Sequence, residues 1–400
     1  MTEPRRFRLA VLASHPIQYY GPLFRELAKS IELHVFFAHR ATAQQQAAAG
    51  FGTAFEWDVD LTSGYEHSFL RNVSKAPGVD HFSGCDTPEI GKHLAGGRFD
   101  ALLVGGWFLK SFLQGIWAAK QLGLPVLIRG DSQLETPRPG PKRWLKELAY
   151  PPFLRSFDAA LYVGQRSRAY YEHYRYPKAR LFSSPHCVDT GWFAARAGPG
   201  ARAELRGRLG IGEAEKVVLF AGKLIPFKRP LDAIEICAAA SAQGAPVRLL
   251  VAGSGELEAA LRDRAKARGV ALDLLGFQNQ SQMPAAYAAA DALILPSDGH
   301  ETWGLVCNEA LACGVPLLVS DAAGCAEDLT GEGLGGYSYR LGDITDAAER
   351  LVRVLQNPPT KGDLAVLSNR HGLAAAAGGV FDALQGLRDR SVLSPKDRSA

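Results

Sequence analysis

Short apolar runs that end in small or polar residues alternate along this chain with segments of helical periodicity, and this alternation restricts the fold more than any other feature. In the first half the runs are Leu9–Ser14, Leu33–Ala38, Ala101–Gly106, Val126–Gly130 and Ala159–Gly164, with helical stretches such as Phe108–Leu122 and Pro141–Ser156 between them. The pattern restarts with Val217–Gly222, Val247–Gly253, Leu272–Gly276, Ala292–Pro296 and Pro316–Ser320, separated by Arg229–Ala242, Glu256–Arg268 and Ser281–Ala290. Alternation of this kind specifies parallel sheets with crossover helices. The expected fold is therefore α/β: two doubly wound, Rossmann-like parallel-sheet domains facing each other across a cleft. The boundary is expected between Pro185 and Gly212, where Ala195–Gly200 reads as a linker. This divides the chain into 1–198, 199–375 and a helical segment 376–400 that can pack back on the N-terminal domain. Ligands of such sheets lie beyond the carboxyl ends of the strands, so function is sought where those ends border the cleft.

Composition narrows the classes. With 47% hydrophobic and 22% charged residues over 400 positions, disorder and collagen-like structure are excluded. The longest apolar runs, such as those ending at Ala221 and Pro296, fall far short of the roughly 18 to 20 residues of a membrane-spanning helix. The basic N-terminus is followed only by Leu9–Ala13 before polar Ser14 and His15, too little for a signal-peptide core, so a cytoplasmic protein is expected. Six scattered cysteines form no C-x-x-C pair, which points to free thiols. The net charge of +4 is uneven: residues 1–198 carry 24 Lys+Arg against 17 Asp+Glu, which leaves the remainder mildly acidic. The two halves are expected to meet different partners.

The most informative segment runs from the strand Ala292–Pro296 through Asp298-Gly-His-Glu301-Thr-Trp-Gly304-Leu305 into a helix expected from about Gly304 to Gly314. Glu301 and Glu309 form an E-x7-E pair. The spacing alone carries no information; the context does. One carboxylate sits on a strand-end loop and the other inside the helix, with the backbone N–H groups of Gly304 and Leu305 between them as an anion site. Phosphate beside hydroxyl-binding carboxylates describes a nucleotide sugar, against the simpler possibility of a solvated loop and a surface Glu. A second strand end supplies Gly222-Lys223-Leu-Ile-Pro-Phe-Lys228, whose two lysines can both reach a diphosphate and neutralise a leaving group. Gly253-Ser-Gly255 and Gly276-Phe277-Gln278 follow two further strands as glycine turns.

In this order these segments resemble the retaining glycosyltransferases of family 4, which have the two-domain GT-B architecture. The resemblance covers the C-terminal half densely, through G-K-x4-K, Gly253-Ser-Gly255, Gly276-Phe277, E-x7-E and Gly314-Val-Pro316. It implies that Lys223 and Lys228 bind the donor diphosphate, that Glu309 binds ribose hydroxyls, and that Glu301 faces the transferred sugar. It further implies backbone contacts from Gly222, Gly304 and Leu305, and a base bordered by Phe277 and Gln278. One departure is Lys223, where the family commonly has Arg; the charge is kept but the bidentate fork is lost.

In the N-terminal half, Ser14-His15-Pro16-Ile17-Gln18-Tyr19-Tyr20-Gly21 follows the first strand and should border the cleft, with a helix from Leu23. His15, Tyr19 and Gly21 are acceptor-side candidates, Gly21 because it allows close backbone approach. At another strand end lie Arg129 and Asp131; Arg129 stands where many family members have a His. It can hold phosphate or sugar hydroxyls while Asp131 orients the acceptor, or the two can simply stabilise a loop. Residues 138–155 interleave basic and aromatic side chains, which suits either a solvated face or peripheral contact with anionic lipid at the inner face of the membrane. No nucleic-acid motif accompanies them. Asp58-Val59-Asp60 matches the D-x-D of metal-dependent glycosyltransferases but lies far from the phosphate-binding half, and no metal or other cofactor is expected.

The expected function is retaining transfer of a glycosyl unit from a nucleoside diphosphate sugar to a hydroxyl group of a glycan or lipid-linked acceptor, as in cell-surface polysaccharide or lipopolysaccharide biosynthesis. A catalytically silent nucleotide-sugar-binding subunit and a sugar-nucleotide epimerase of the same architecture are the rival readings.

Overall fold

The computed structural model describes residues 5–46, 53–137 and 140–393. The strands of the first sheet are β1 (Arg8–Ala13), β2 (Glu32–Phe37), β3 (Glu66–Phe69), β4 (Ala101–Val104), β5 (Val126–Gly130), β6 (Ala159–Tyr162) and β7 (Leu181–Ser183). They are ordered β3-β2-β1-β4-β5-β6-β7 and all parallel. A second parallel sheet, ordered β10-β9-β8-β11-β12-β13, contains β8 (Lys216–Ala221), β9 (Val247–Ala252), β10 (Ala271–Gly276), β11 (Ala292–Leu295), β12 (Leu317–Ser320) and β13 (Gly336–Tyr339). This is the expected GT-B arrangement of two doubly wound domains.

Central strands such as β4, β11 and β12 are buried at every residue because helices cover both faces, and their sequences are accordingly unbroken apolar runs. Each sheet has a separate apolar core on either face. A fully buried Leu, Ile, Val or Phe there contributes roughly 1.5–3 kcal/mol relative to an exposed one. Five of the six cysteines are buried, Cys313 is partly so, and none is disulfide-bonded. Among the described residues no helix is long and apolar enough to cross a membrane.

The strand order reverses between β1 and β4 in the first sheet and between β8 and β11 in the second. Crevices open at such switch points. The chain leaves the first sheet after β7, ahead of the Ala195–Gly200 stretch: the helix Thr190–Arg196, capped by Asp189 accepting from the Trp192 N–H (2.9 Å), already packs against Met283–Ala289 and Val306–Ala312 of the second domain. The last helix, Leu373–Leu393, returns and packs on β6, β7 and the helix Tyr20–Ala28. Its Ala376, Val380, Ala383 and Leu384 are part of the N-terminal domain's core.

Candidate active site

The loops after β8, β9, β10 and β11 are laced together by their backbones. The Gly222 N–H donates to the Ala252 carbonyl (2.9 Å), Gly253 N–H to Gly276 (2.8 Å), and Asp298 N–H to Phe227 (2.9 Å). Glycine is required at one crossing: Gly253 has φ +155°, and a Cβ there would sit 1.8 Å from the Gly222 carbonyl oxygen. The four loops wall a cavity of about 300 Å³ at the β8/β11 switch point. Gly222, Lys223, Phe227 and Lys228 line it together with Phe277, Gln278 and Glu309.

Lys228 Nζ forms an ion pair with Glu301 Oε2, and both side chains are largely buried, at 15% and 13% exposure. Ser297 Oγ donates to the same carboxylate oxygen (3.2 Å). Lys223 lies beside this pair; burial, and then the charge of Lys228, press its pKa below the ordinary lysine value. Glu309 is 8% exposed. Burial pushes its carboxyl up to about 7, against a smaller opposing pull from the Tyr287 hydroxyl, which donates to Oε2 at 2.6 Å. The cavity therefore combines two cations, a carboxylate held for one of them, and a carboxyl that ionises near neutrality.

The helix carrying Glu309 spans Val306–Ala312, two residues shorter at each end than expected. Gly304 stands ahead of it at φ +105°, where a Cβ would come 2.6 Å from a Leu295 methyl, and Leu305 occupies the cap position. The helix is thus two turns long, and its contributions to the cavity wall are Val306 and Glu309.

On the N-terminal side, the helix after β1 begins at Tyr20, earlier than expected. Gln18 lines the cavity, and its Oε1 is buried without a hydrogen-bond partner among the described residues. Tyr19 lines a smaller adjoining cavity that shares Gln18, Gln280 and Glu309. His15 is held by burial at about pKa 4, with Ser14 Oγ 3.0 Å from its Nδ1. Gly21 makes room for protein backbone, since a Cβ would lie 2.8 Å from the Leu61 carbonyl oxygen. Arg129 is buried with its guanidinium spent on Ser184 Oγ (3.0 Å) and the Pro185 carbonyl (2.8 Å). It anchors the loop leaving β7 through these two bonds, not as a loop-stabilising pair with Asp131. Asp131 reaches across the cleft to accept from Thr302 Oγ1 (2.7 Å).

Further bonds close the cleft: Gln133 Nε2 to the Gly299 carbonyl (3.1 Å) and Arg166 Nη1 to that of Ala322 (2.7 Å). Asp58 and Asp60 do not converge on one point. Asp58 accepts from the Ser281 N–H and hydroxyl in the other domain, whereas Asp60 accepts from the Thr62 and Ser63 N–H groups of its own turn. Gln18, Trp57, Gln280 and Tyr287 were not singled out by sequence. Gln18 lay inside a quoted motif, and the others carry no local signal.

This geometry coincides with a match to known sequences. Residues 201–366 match the family of glycosyl transferases group 1. The matched stretch spans β8 to β13 and thus every loop of the cavity contributed by the second domain. The D-inositol 3-phosphate glycosyltransferase of Nocardiopsis dassonvillei is 27% identical over 291 residues, 67% of this chain and 66% of that one. A GDP-mannose-dependent α-(1-6)-phosphatidylinositol dimannoside mannosyltransferase of Mycobacterium tuberculosis is 34% identical over 136 residues, 34% of this chain and 35% of that one. The chain thus spans just under two thirds, or less, of the length of these curated relatives. Anabaena HepE, solved in complex with UDP and glucose, superposes with a TM-score of 0.68 at 16% identity, over 95% of this chain and 100% of that one, and shares the GT-B fold.

Proposed function

We propose that the protein is a group 1 glycosyltransferase that moves a sugar from a nucleoside diphosphate sugar to a hydroxyl acceptor with retention of configuration. The observation that carries this reading is the convergence of Lys223, Lys228 and Glu309 on one cavity at the switch point of the second sheet, with Glu301 paired to Lys228. Lys223 and Lys228 neutralise the charge that develops on the departing diphosphate. When phosphate arrives, Lys228 gains a second anionic partner, and Glu301 is freed toward the sugar. Glu309 accepts from the ribose hydroxyls. The acceptor oxygen bonds to the anomeric carbon on the face from which the diphosphate leaves, and its proton passes to the departing phosphate oxygen. Domain approach excludes water that would hydrolyse the donor.

The reaction is proposed to need no metal, because the lysines supply the countercharge and Asp58 and Asp60 are committed to hydrogen bonds elsewhere. The acceptor is proposed to be a glycan or lipid-linked sugar of a cell-surface polymer. Peripheral membrane contact is supported by the helix Gly140–Arg155, where Trp144, Leu145 and Leu148 are 67%, 61% and 59% exposed on a domain with excess positive charge. Arg138 and Pro139 lie outside the described residues.

The test is incubation of the protein with UDP- and GDP-sugars and hydroxyl acceptors in excess EDTA, with NMR of the product anomer. A retained anomer formed in EDTA is expected. Donor binding without transfer or hydrolysis would replace the reading with that of a silent subunit, and donor conversion without acceptor would replace it with that of an epimerase. A strict requirement for added Mn²⁺ would refute the metal-free step.

A further inference from the structure

We infer that the segment 53–62 of the N-terminal domain completes the donor site, with Trp57 as the surface on which the nucleobase stacks. The inference rests on the donor reading above and adds a recognition element from the opposite domain. Trp57 lines the same cavity as Lys223, Lys228 and Glu309, with Phe277, Gln278 and Gln280 in the same lining. Its neighbour Phe55 is 9% exposed and lies against Phe277, ring centroids 4.4 Å apart; Trp57 stands perpendicular to Phe55 at 4.9 Å.

The segment is clasped to the second domain by polar bonds between residues more than 200 positions apart. Asp58 accepts from the Ser281 N–H (3.1 Å) and the Ser281 hydroxyl, and Asn279 Nδ2 donates to the Glu56 carbonyl (2.7 Å). From below it is braced by its own domain. Arg25 Nη1 donates to the Asp60 carbonyl (3.2 Å), and Gly21 lets the Leu61 carbonyl approach the first helix.

A cavity lined by two cations, aromatic rings and amide side chains fits a nucleoside diphosphate, its planar base among the aromatics. Trp57 and Gln18 bring the N-terminal domain into the wall of this cavity, so a bound base touches both domains. A diphosphate without a base could neutralise the lysines but would gain nothing from Trp57.

The test is calorimetric titration of the full chain and of W57A, W57F and D58A with UDP, GDP and pyrophosphate. For whichever nucleotide the wild type prefers, W57A should weaken binding roughly tenfold or more, W57F by much less, and pyrophosphate affinity should be unchanged in both. D58A should weaken nucleotide but not pyrophosphate. Equal nucleotide affinity in wild type and W57A overturns the inference while leaving the donor reading intact, as does an equal loss of pyrophosphate affinity. Failure of the folded wild type to bind either nucleotide removes the donor reading itself, and the inference with it.

Discussion

Donor binding should be linked to a proton on Glu309. Burial lifts this carboxyl from 4.5 to about 7; at 1.36 kcal/mol per pKa unit, that is roughly 3 kcal/mol against the ionised form. A carboxylate offers only acceptors, whereas a protonated carboxyl spends one oxygen as a donor and competes with the ribose hydroxyls. Bound donor therefore lowers the pKa, and binding below about pH 7 releases a proton. The dissociation constant of a nucleoside diphosphate sugar should fall by up to about tenfold per pH unit as pH rises toward 7, then level off. The sugar ester is the right ligand because its diphosphate charge is constant in this range.

The same shift governs folding. The folded state binds the proton more tightly than the unfolded chain, so the contribution of Glu309 is complete below about pH 4.5 and is lost as pH rises through about 7, a change of roughly 3 kcal/mol. E309Q should abolish both dependences, while Y287F, which removes the hydroxyl that stabilises the carboxylate, should move the midpoint upward. Calorimetry in buffers of different ionisation enthalpy counts the protons directly. A dissociation constant that is flat from about pH 6 to 8 with no proton exchange, or an identical profile in E309Q, would refute the reasoning.

K228A should lower transfer by about two to three orders of magnitude with an unchanged circular dichroism spectrum, since it removes one of the two cavity cations and leaves Glu301 without its ion-pair partner; turnover within a factor of two of wild type would contradict the assignment. G253A should cost on the order of 3 kcal/mol or more in urea denaturation, because its Cβ meets the Gly222 backbone at 1.8 Å. The control G244A, at φ +84° with nothing within 4 Å, should cost about 1 kcal/mol. The W144E/L148E double variant should lose salt-sensitive cosedimentation with phosphatidylglycerol vesicles and keep full activity on a soluble acceptor; unchanged sedimentation would remove the membrane proposal.

The fold was legible wherever strands are buried on both faces. The runs at β1, β5, β8, β9 and β11 coincide with the observed strands to within a residue or two. The strands β3 (Glu-His-Ser-Phe), β7 and β13 (Gly-Tyr-Ser-Tyr) were not legible, because they are three- or four-residue edge strands without an apolar run, whereas the edge strand β10 keeps Leu272, Leu274 and Leu275 and was read. The site divides similarly. Lys223, Lys228, Glu301 and Glu309 are announced by the segments that follow β8 and β11, neighbours in the sheet. Trp57, Gln18 and the Tyr287–Glu309 bond depend on which residues the tertiary structure brings together across 20 to 220 positions, and local periodicity does not encode that. Asp58 is instructive: by sequence it is half of a metal-like motif, whereas in the fold it is a fastening for Ser281.

The return of the helix Leu373–Leu393 to the first domain means that the polypeptide passes between the domains twice, and the two passages touch: Val188 and Gly372 form a β-bridge. Two segments fastened side by side act as a door hinge with a fixed pin, whereas one segment would act as a tether. Any change in the angle between the domains must be absorbed at these two adjoining passages. The N-terminal domain is therefore assembled from two separated stretches of chain, whereas the C-terminal domain is one contiguous stretch. A truncation before residue 373 would strip Ala376, Val380 and Leu384 from the core of the N-terminal domain while leaving the C-terminal domain whole.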